Sequence, residues 1–151
     1  ALLTEASKMP GLDGMKMSKS YQNTLALRET PENISQKVRK MPTDPARVRR
    51  TDPGDPAKCP VWQLHEVYSD DSTKQWVQEG CKSAGIGCIQ CKEPIIDAIT
   101  RELAPMRERA AMYSDNPALV RSIIDQGCDR ARAMASDTMK DVRKHMGLDY
   151  S

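Results

Sequence analysis

Residues 92–110 read KEPIIDAITRELAPMRERA. Ile95, Ile99, Leu103, Met106 and Ala110 recur there at steps of three and four, which places them on one face of an α-helix. Pro94 fits the first turn, where a missing N–H costs little. Pro105 lies inside the pattern and predicts a kink. Downstream, Asn116-Pro117 opens a last helix. In it Val120, Ile124, Gly127, Ala131, Met134, Thr138 and Val142 keep a near-heptad spacing until Gly147 stops it. Upstream, residues 83–91 read as a turn bearing Gly and Cys. Ser69-Asp70-Asp71-Ser72 caps a helix to about Lys82, and Val61–Tyr68 is helical. Residues 43–60, TDPARVRRTDPGDPAKCP, form a loop with at most one helical turn. Thr30 caps and Pro31 opens a helix that ends near Pro42, with Ile34, Val38 and Met41 on one face.

Residues 1–30 are irregular, and no period-two pattern of useful length follows residue 6. The expected fold is therefore all-α, a helical bundle over residues 31–151 preceded at 1–30 by the loop-rich end of another domain. The opening ALLTEA reads as the end of a strand and predicts a piece of a longer protein. Removal of an initiator Met before Ala1 is the alternative.

The 151 residues carry a net charge of +2, no Phe and nine Met. Near-neutrality gives no general case for nucleic acid, so only local clustering can. No apolar run approaches the roughly 20 residues of a membrane span, and no charged-then-apolar signal segment opens the chain. Five cysteines without such a signal point to the cytosol, where clustered thiols bind metal more often than they pair.

Two stretches carry chemistry. In GMKMSKSYQN, residues 14–23, Lys16 and Lys19 stand among serines and glycines. Lysine is cationic at neutral pH and stabilises charge building on phosphate oxygens in a transition state. A flexible loop can close over a nucleotide and reopen. The plain alternative is a solvated surface loop. The second stretch is C-x21-C-x6-C-x2-C, formed by Cys59, Cys81, Cys88 and Cys91. Four thiolates suit tetrahedral zinc or an iron–sulfur cluster, and Gly85 and Gly87 allow close backbone approach. Cys128, outside the set, reads as a core thiol.

Lys37, Arg39, Lys40, Arg47, Arg49 and Arg50 face one acid, Asp44, within residues 37–50. That cluster suits RNA phosphates or an ordinary solvated face. Trp62 and Trp76 suit stacking on bases or, more simply, buried packing. His65 reads as structural, and His145 as a helix C-terminal cation.

Lys16-Met17-Ser18-Lys19-Ser20 is the KMSKS signature of class I aminoacyl-tRNA synthetases. GLDGMKMSKSYQNT (11–24), RTDPGDPAKC (50–59), ELAPMRERA (102–110) and VRKHMGLDYS (142–151) together resemble tryptophanyl-tRNA synthetases over nearly the whole chain. The resemblance implies an enzyme that activates tryptophan with ATP and Mg²⁺ and charges tRNA(Trp), cytoplasmic and homodimeric at full length. It places Lys16 and Lys19 on the ATP phosphates, Met17 at the loop base, and Ser18 and Ser20 as caps. It makes residues 1–30 the end of the nucleotide-binding α/β catalytic domain and 31–151 the helical anticodon-binding domain. The HIGH-like signature and the tryptophan pocket of that family have no counterpart here. This stretch alone is accordingly expected to be inactive and mobile over residues 1–24, and the sequence leaves its own oligomeric state open between monomer and dimer. A free-standing metal-bearing RNA-binding module is the alternative. The cysteines resemble a subset of the family that holds a [4Fe-4S] cluster, with Zn²⁺ the alternative. In that subset the first gap is about one residue longer, a change a surface loop absorbs.

Overall fold

A computed structural model describes residues 7–148; the strand end expected in ALLTEA lies outside them. Among the described residues there are five α-helices: α1 (Pro31–Lys40), α2 (Pro60–Tyr68), α3 (Asp71–Lys82), α4 (Cys88–Ser114) and α5 (Pro117–His145). No strand forms there, and one isolated bridge pairs Pro10 with Lys16. The all-α expectation holds. No described helix is long and apolar enough to cross a membrane.

The helix starts follow from side-chain caps. Thr30 accepts the Asn33 N–H, Asp70 the Thr73 N–H and Asn116 the Leu119 N–H, each satisfying a donor that the first turn leaves orphaned. One expectation fails: α4 begins at Cys88 rather than near Lys92, so the turn is only 83–87. The Cys91 N–H already bonds the Gly87 carbonyl, and the Gln90 side chain accepts the Gly87 N–H. Pro94 therefore lies inside the helix, as does Pro105.

The chain divides into two compact units, Ala1–Arg107 and Glu108–Ser151. The first has a core of Ile34, Val38 and Met41 from α1 and its end, Val61 and Leu64 from α2, and Ile95, Ile96, Ile99 and Leu103 from α4. Each such side chain contributes about 1.5–3 kcal/mol when buried. Leu12, Leu25, Cys59, Tyr68, Cys91 and Met106 pack against it, so the loop before α1 and two of the cysteines touch the same core. The α1 end is closed from α4: Lys92 is 2% exposed and its ammonium donates to the Arg39 and Met41 carbonyls at 2.8 and 2.7 Å.

In the second unit α5 has no buried residue. Its near-heptad face promised a core, yet Ile124 and Met134 are exposed. Cys128 is exposed too, not the core thiol expected. Spacing reports a helical face; only a covering partner buries it.

Candidate phosphate loop and four-thiol centre

Over its described part, the segment before α1 is held in shape by backbone hydrogen bonds. Gly11 N–H bonds the Met15 carbonyl, Gly14 N–H the Gly11 carbonyl, Met17 N–H the Met9 carbonyl and Leu12 N–H the Asn23 carbonyl. Gly14 takes a positive φ of 82°, and a Cβ there would also stand 2.8 Å from Pro60, so glycine is required on both counts. Lys19–Tyr21 forms one 3-10 turn whose first residue carries the second lysine; the Ser18 hydroxyl caps it by accepting the Ser20 N–H. Ser18 is thus a cap, as expected. Lys16 and Lys19 are exposed, and among the described residues neither ammonium has an ion-pair or hydrogen-bond partner. Two cations are presented to solvent on a shaped backbone.

The four cysteines come from three helices. Cys59 precedes α2, Cys81 sits in the last turn of α3, and Cys88 and Cys91 lie in the first turn of α4. The structure brings all four to one small cavity of about 20 Å³, lined also by Thr43, Asp44, Arg47 and Val61. All are free thiols. Among the described residues no group of three or more His, Cys, Asp or Glu is arranged to hold a metal ion. The expected ligands thus share a cavity without forming a closed ion site.

The surroundings are specialised. Gly54 donates its N–H to the Cys81 carbonyl at 3.0 Å, and a Cβ on Gly54 would lie 2.6 Å from the Cys81 sulfur. Burial raises the Cys81 thiol, with the Arg47 guanidinium pulling the other way and Cys59 and Cys88 adding to the rise. Burial, reinforced by the other three thiols, pushes Cys91 up to about 12. Lys92 is pulled down by its own burial and held up by the thiols of Cys88, Cys59 and Cys91. Arg47 donates to the carbonyls of Arg50 (3.0 Å) and Ile86 (2.6 Å), while its Nε is buried without a partner among the described residues. His65 is fully buried. Its Nδ1 meets the Ser69 hydroxyl at 2.8 Å and its Nε2 the Cys91 carbonyl at 3.0 Å. Burial depresses its pKa to about 4 against the hydrogen bond to Cys91. The structural role expected of His65 is what it has.

The basic cluster resolves into distinct roles. Lys37 pairs with Glu29 and Arg39 with Glu93, and Arg47 is internal. Asp44 is no lone counter-charge: its carboxylate accepts the Ala46 and Asp55 N–H groups at 3.0 and 2.8 Å and staples the loop. Lys40, Arg49 and Arg50 are left exposed. Arg47, Val48, Arg49, Arg50, Gly87, Cys88, Ile89 and Gln90 line a hollow of about 440 Å³. Trp62 is partly buried and donates to Glu66. Trp76 is 43% exposed, so it is not the buried packing expected. His145 is exposed, its Nδ1 meeting the Asp141 carbonyl at 2.7 Å. Sequence reasoning missed Asp44 and Asn23, whose roles appear only once the loops close.

The family model described as tRNA synthetases class I (W and Y) matches residues 1–104. A tryptophan–tRNA ligase of Ralstonia nicotianae is 65% identical over 99% of this chain and 38% of its own length. One of Thermotoga maritima is 42% identical over 99% of this chain and 46% of its own length. A crystal structure of tryptophanyl-tRNA synthetase from Campylobacter jejuni, complexed with ADP and tryptophan, is 25% identical with a TM-score of 0.75, over 98% of this chain and 46% of that one. The chain thus spans less than half the length of these relatives.

Proposed function

The chain belongs to the class I tRNA synthetases of the tryptophan and tyrosine type, and from that membership we propose that it is the phosphate-loop and anticodon-side part of a tryptophan–tRNA ligase. The observation that carries this reading is the KMSKS loop: two exposed, unpaired lysines on a hydrogen-bonded scaffold. In the whole cytoplasmic enzyme, tryptophan carboxylate attacks the α-phosphorus of Mg·ATP, giving tryptophanyl-adenylate and pyrophosphate. Lys16 and Lys19 hold the phosphates as charge moves onto the departing pyrophosphate. Met17 sits at the loop base, and Ser18 and Ser20 stiffen the turn. Residues 1–30 complete the catalytic domain and 31–151 form the helical domain that meets tRNA(Trp). The hollow beside Arg49 and Arg50 suits an unstacked base with phosphates alongside. The test is Lys19→Ala in the intact synthetase, read by tryptophan-dependent pyrophosphate exchange. A fall of about a hundredfold is expected; an unchanged rate would sink the clamp.

Cys59, Cys81, Cys88 and Cys91 would hold a [4Fe-4S] cluster, with zinc as the alternative. What supports this reading is the donor set, since four thiolates on a metal make an anionic centre that nearby N–H groups and cations stabilise. Four partly buried thiols share one cavity, Gly54 leaves space at Cys81 that a Cβ would fill, and Arg47 has an orphaned N–H. Arg47 and Lys92 supply two positive charges beside thiolates. Bound, the group would cross-link α2, α3 and α4 and so fix the RNA-facing surface. Iron, zinc and acid-labile sulfide measured on anaerobically purified protein decide it. About four irons and four sulfides per chain are expected for the cluster, about one zinc for the alternative. The free-standing RNA-binding module is not favoured, since the relatives described above are ligases.

A further inference from the structure

The polar side chain most deeply built into the two-lysine loop is not one of its lysines or serines. Asn23 is 4% exposed. Its Oδ1 accepts the Ser18 N–H at 2.8 Å. Its Nδ2 donates to the Asp13 carboxylate at 2.7 Å and to the Lys16 carbonyl at 3.2 Å. Only one orientation of the amide serves all three, because the acceptor must face an N–H and the donor must face two oxygens. Asp13 in turn accepts the Met15 N–H at 2.9 Å. The backbone before Lys16, the peptide of Lys16 itself and the residue before Lys19 are thus tied through one carboxamide. Room for it is reserved: a Cβ on Gly11 would stand 2.2 Å from Asn23 Nδ2 and 3.0 Å from its carbonyl oxygen.

We propose that Asn23 is the positioning residue of this loop: its carboxamide fixes the peptides that carry Lys16 and Lys19, and so sets where both ammonium groups meet a triphosphate. The proposal rests on the reading of the loop as a phosphate clamp. A buried amide bonded on both sides is costly to disturb, since loss of one partner strands the others. A lysine held by backbone alone would sample many loop shapes, and misplacement of an electrostatic group lowers the rate steeply.

The experiment uses the intact synthetase with Asn23→Ala, the exchanged pair Asp13→Asn/Asn23→Asp, and Lys19→Ala as reference. Asn23→Ala is expected to lower kcat/KM for ATP in pyrophosphate exchange by about tenfold or more. The KM for tryptophan should stay within about twofold, and trypsin should cut faster after Lys16 and Lys19. The exchanged pair restores an amide–carboxylate contact and the acceptor for the Ser18 N–H, and should recover part of the loss. Wild-type ATP kinetics in Asn23→Ala, with Lys19→Ala crippled, overturns the positioning role alone. Equal loss for ATP and tryptophan, with no recovery in the exchanged pair, also overturns it, as the signature of general unfolding. An inert Lys19→Ala overturns the clamp itself, and the inference with it.

Discussion

His65 Nε2 lies 3.0 Å from the Cys91 carbonyl oxygen and 3.4 Å from the Cys91 sulfur, so a fully buried imidazole on α2 grips the first turn of α4 at one of the four thiols. Its other nitrogen meets Ser69. Replacing it with Ala would open a cavity and strand the Ser69 hydroxyl and the Cys91 carbonyl. His65→Ala should therefore destabilise by about 3 kcal/mol, read as a lower urea midpoint. His65→Gln, which can keep one hydrogen bond, should lose less. Equal stability of all three proteins would remove the histidine from the account.

Lys92 closes the end of α1 from inside. Lys92→Met keeps the apolar stem but strands the Arg39 and Met41 carbonyls, a cost of about 1.5–3 kcal/mol for hydrogen bonds to a charged group. Amide exchange should rise in the last turn of α1 before it rises in α2. Unchanged protection of residues 37–41 would contradict the cap.

Two glycines beside the thiols make opposite forecasts. At Gly54 a Cβ would lie 2.6 Å from the Cys81 sulfur, whereas at Gly87 the nearest atoms are at 3.4 and 3.5 Å. Gly54→Ala should displace Cys81 and, for the proposed metal centre, lower iron or zinc per chain well below wild type. Gly87→Ala should retain nearly all of it. The reverse order would show that the cavity is not where metal is held.

Asp44 supplies the pH dependence. The backbone N–H of Asp55, then that of Ala46, holds its carboxyl below the usual 3.8. A depressed folded-state value favours the folded form above pH 3.8, and that benefit is lost as pH falls through the lower folded value. Urea stability should drop on acidification below about pH 4. Asp44→Asn, which turns an NH₂ toward one of the two donors, should be less stable at neutral pH with a shallower acid limb. Parallel wild-type and variant curves would remove Asp44 from that limb.

The helices were legible because their signals are local. Thr30, Asp70 and Asn116 cap as their types prescribe, and Ile34, Val38, Ile95 and Ile99 fall on the faces that their spacing set. The start of α4 was misplaced because Pro94 resembles a first-turn proline, and nothing local announces that the helix already runs from Cys88. The four cysteines were found by spacing, but their cavity depends on how α2, α3 and α4 meet. Asn23 and Asp44 carry no motif. Each takes its role only when chain segments about ten residues apart close onto it, a loop closure that pattern does not encode. Cys128 and Trp76 show the converse error, since residue type suggested burial that no neighbour provides.

As proposed above, this segment serves tryptophan rather than the tyrosine that the same family model admits. The most direct test is ATP–pyrophosphate exchange by the intact enzyme with each amino acid in turn. Exchange driven by tryptophan, at least a hundredfold above tyrosine in kcat/KM (about 2.7 kcal/mol), is the expected result. Exchange driven by tyrosine, or by neither, would contradict it.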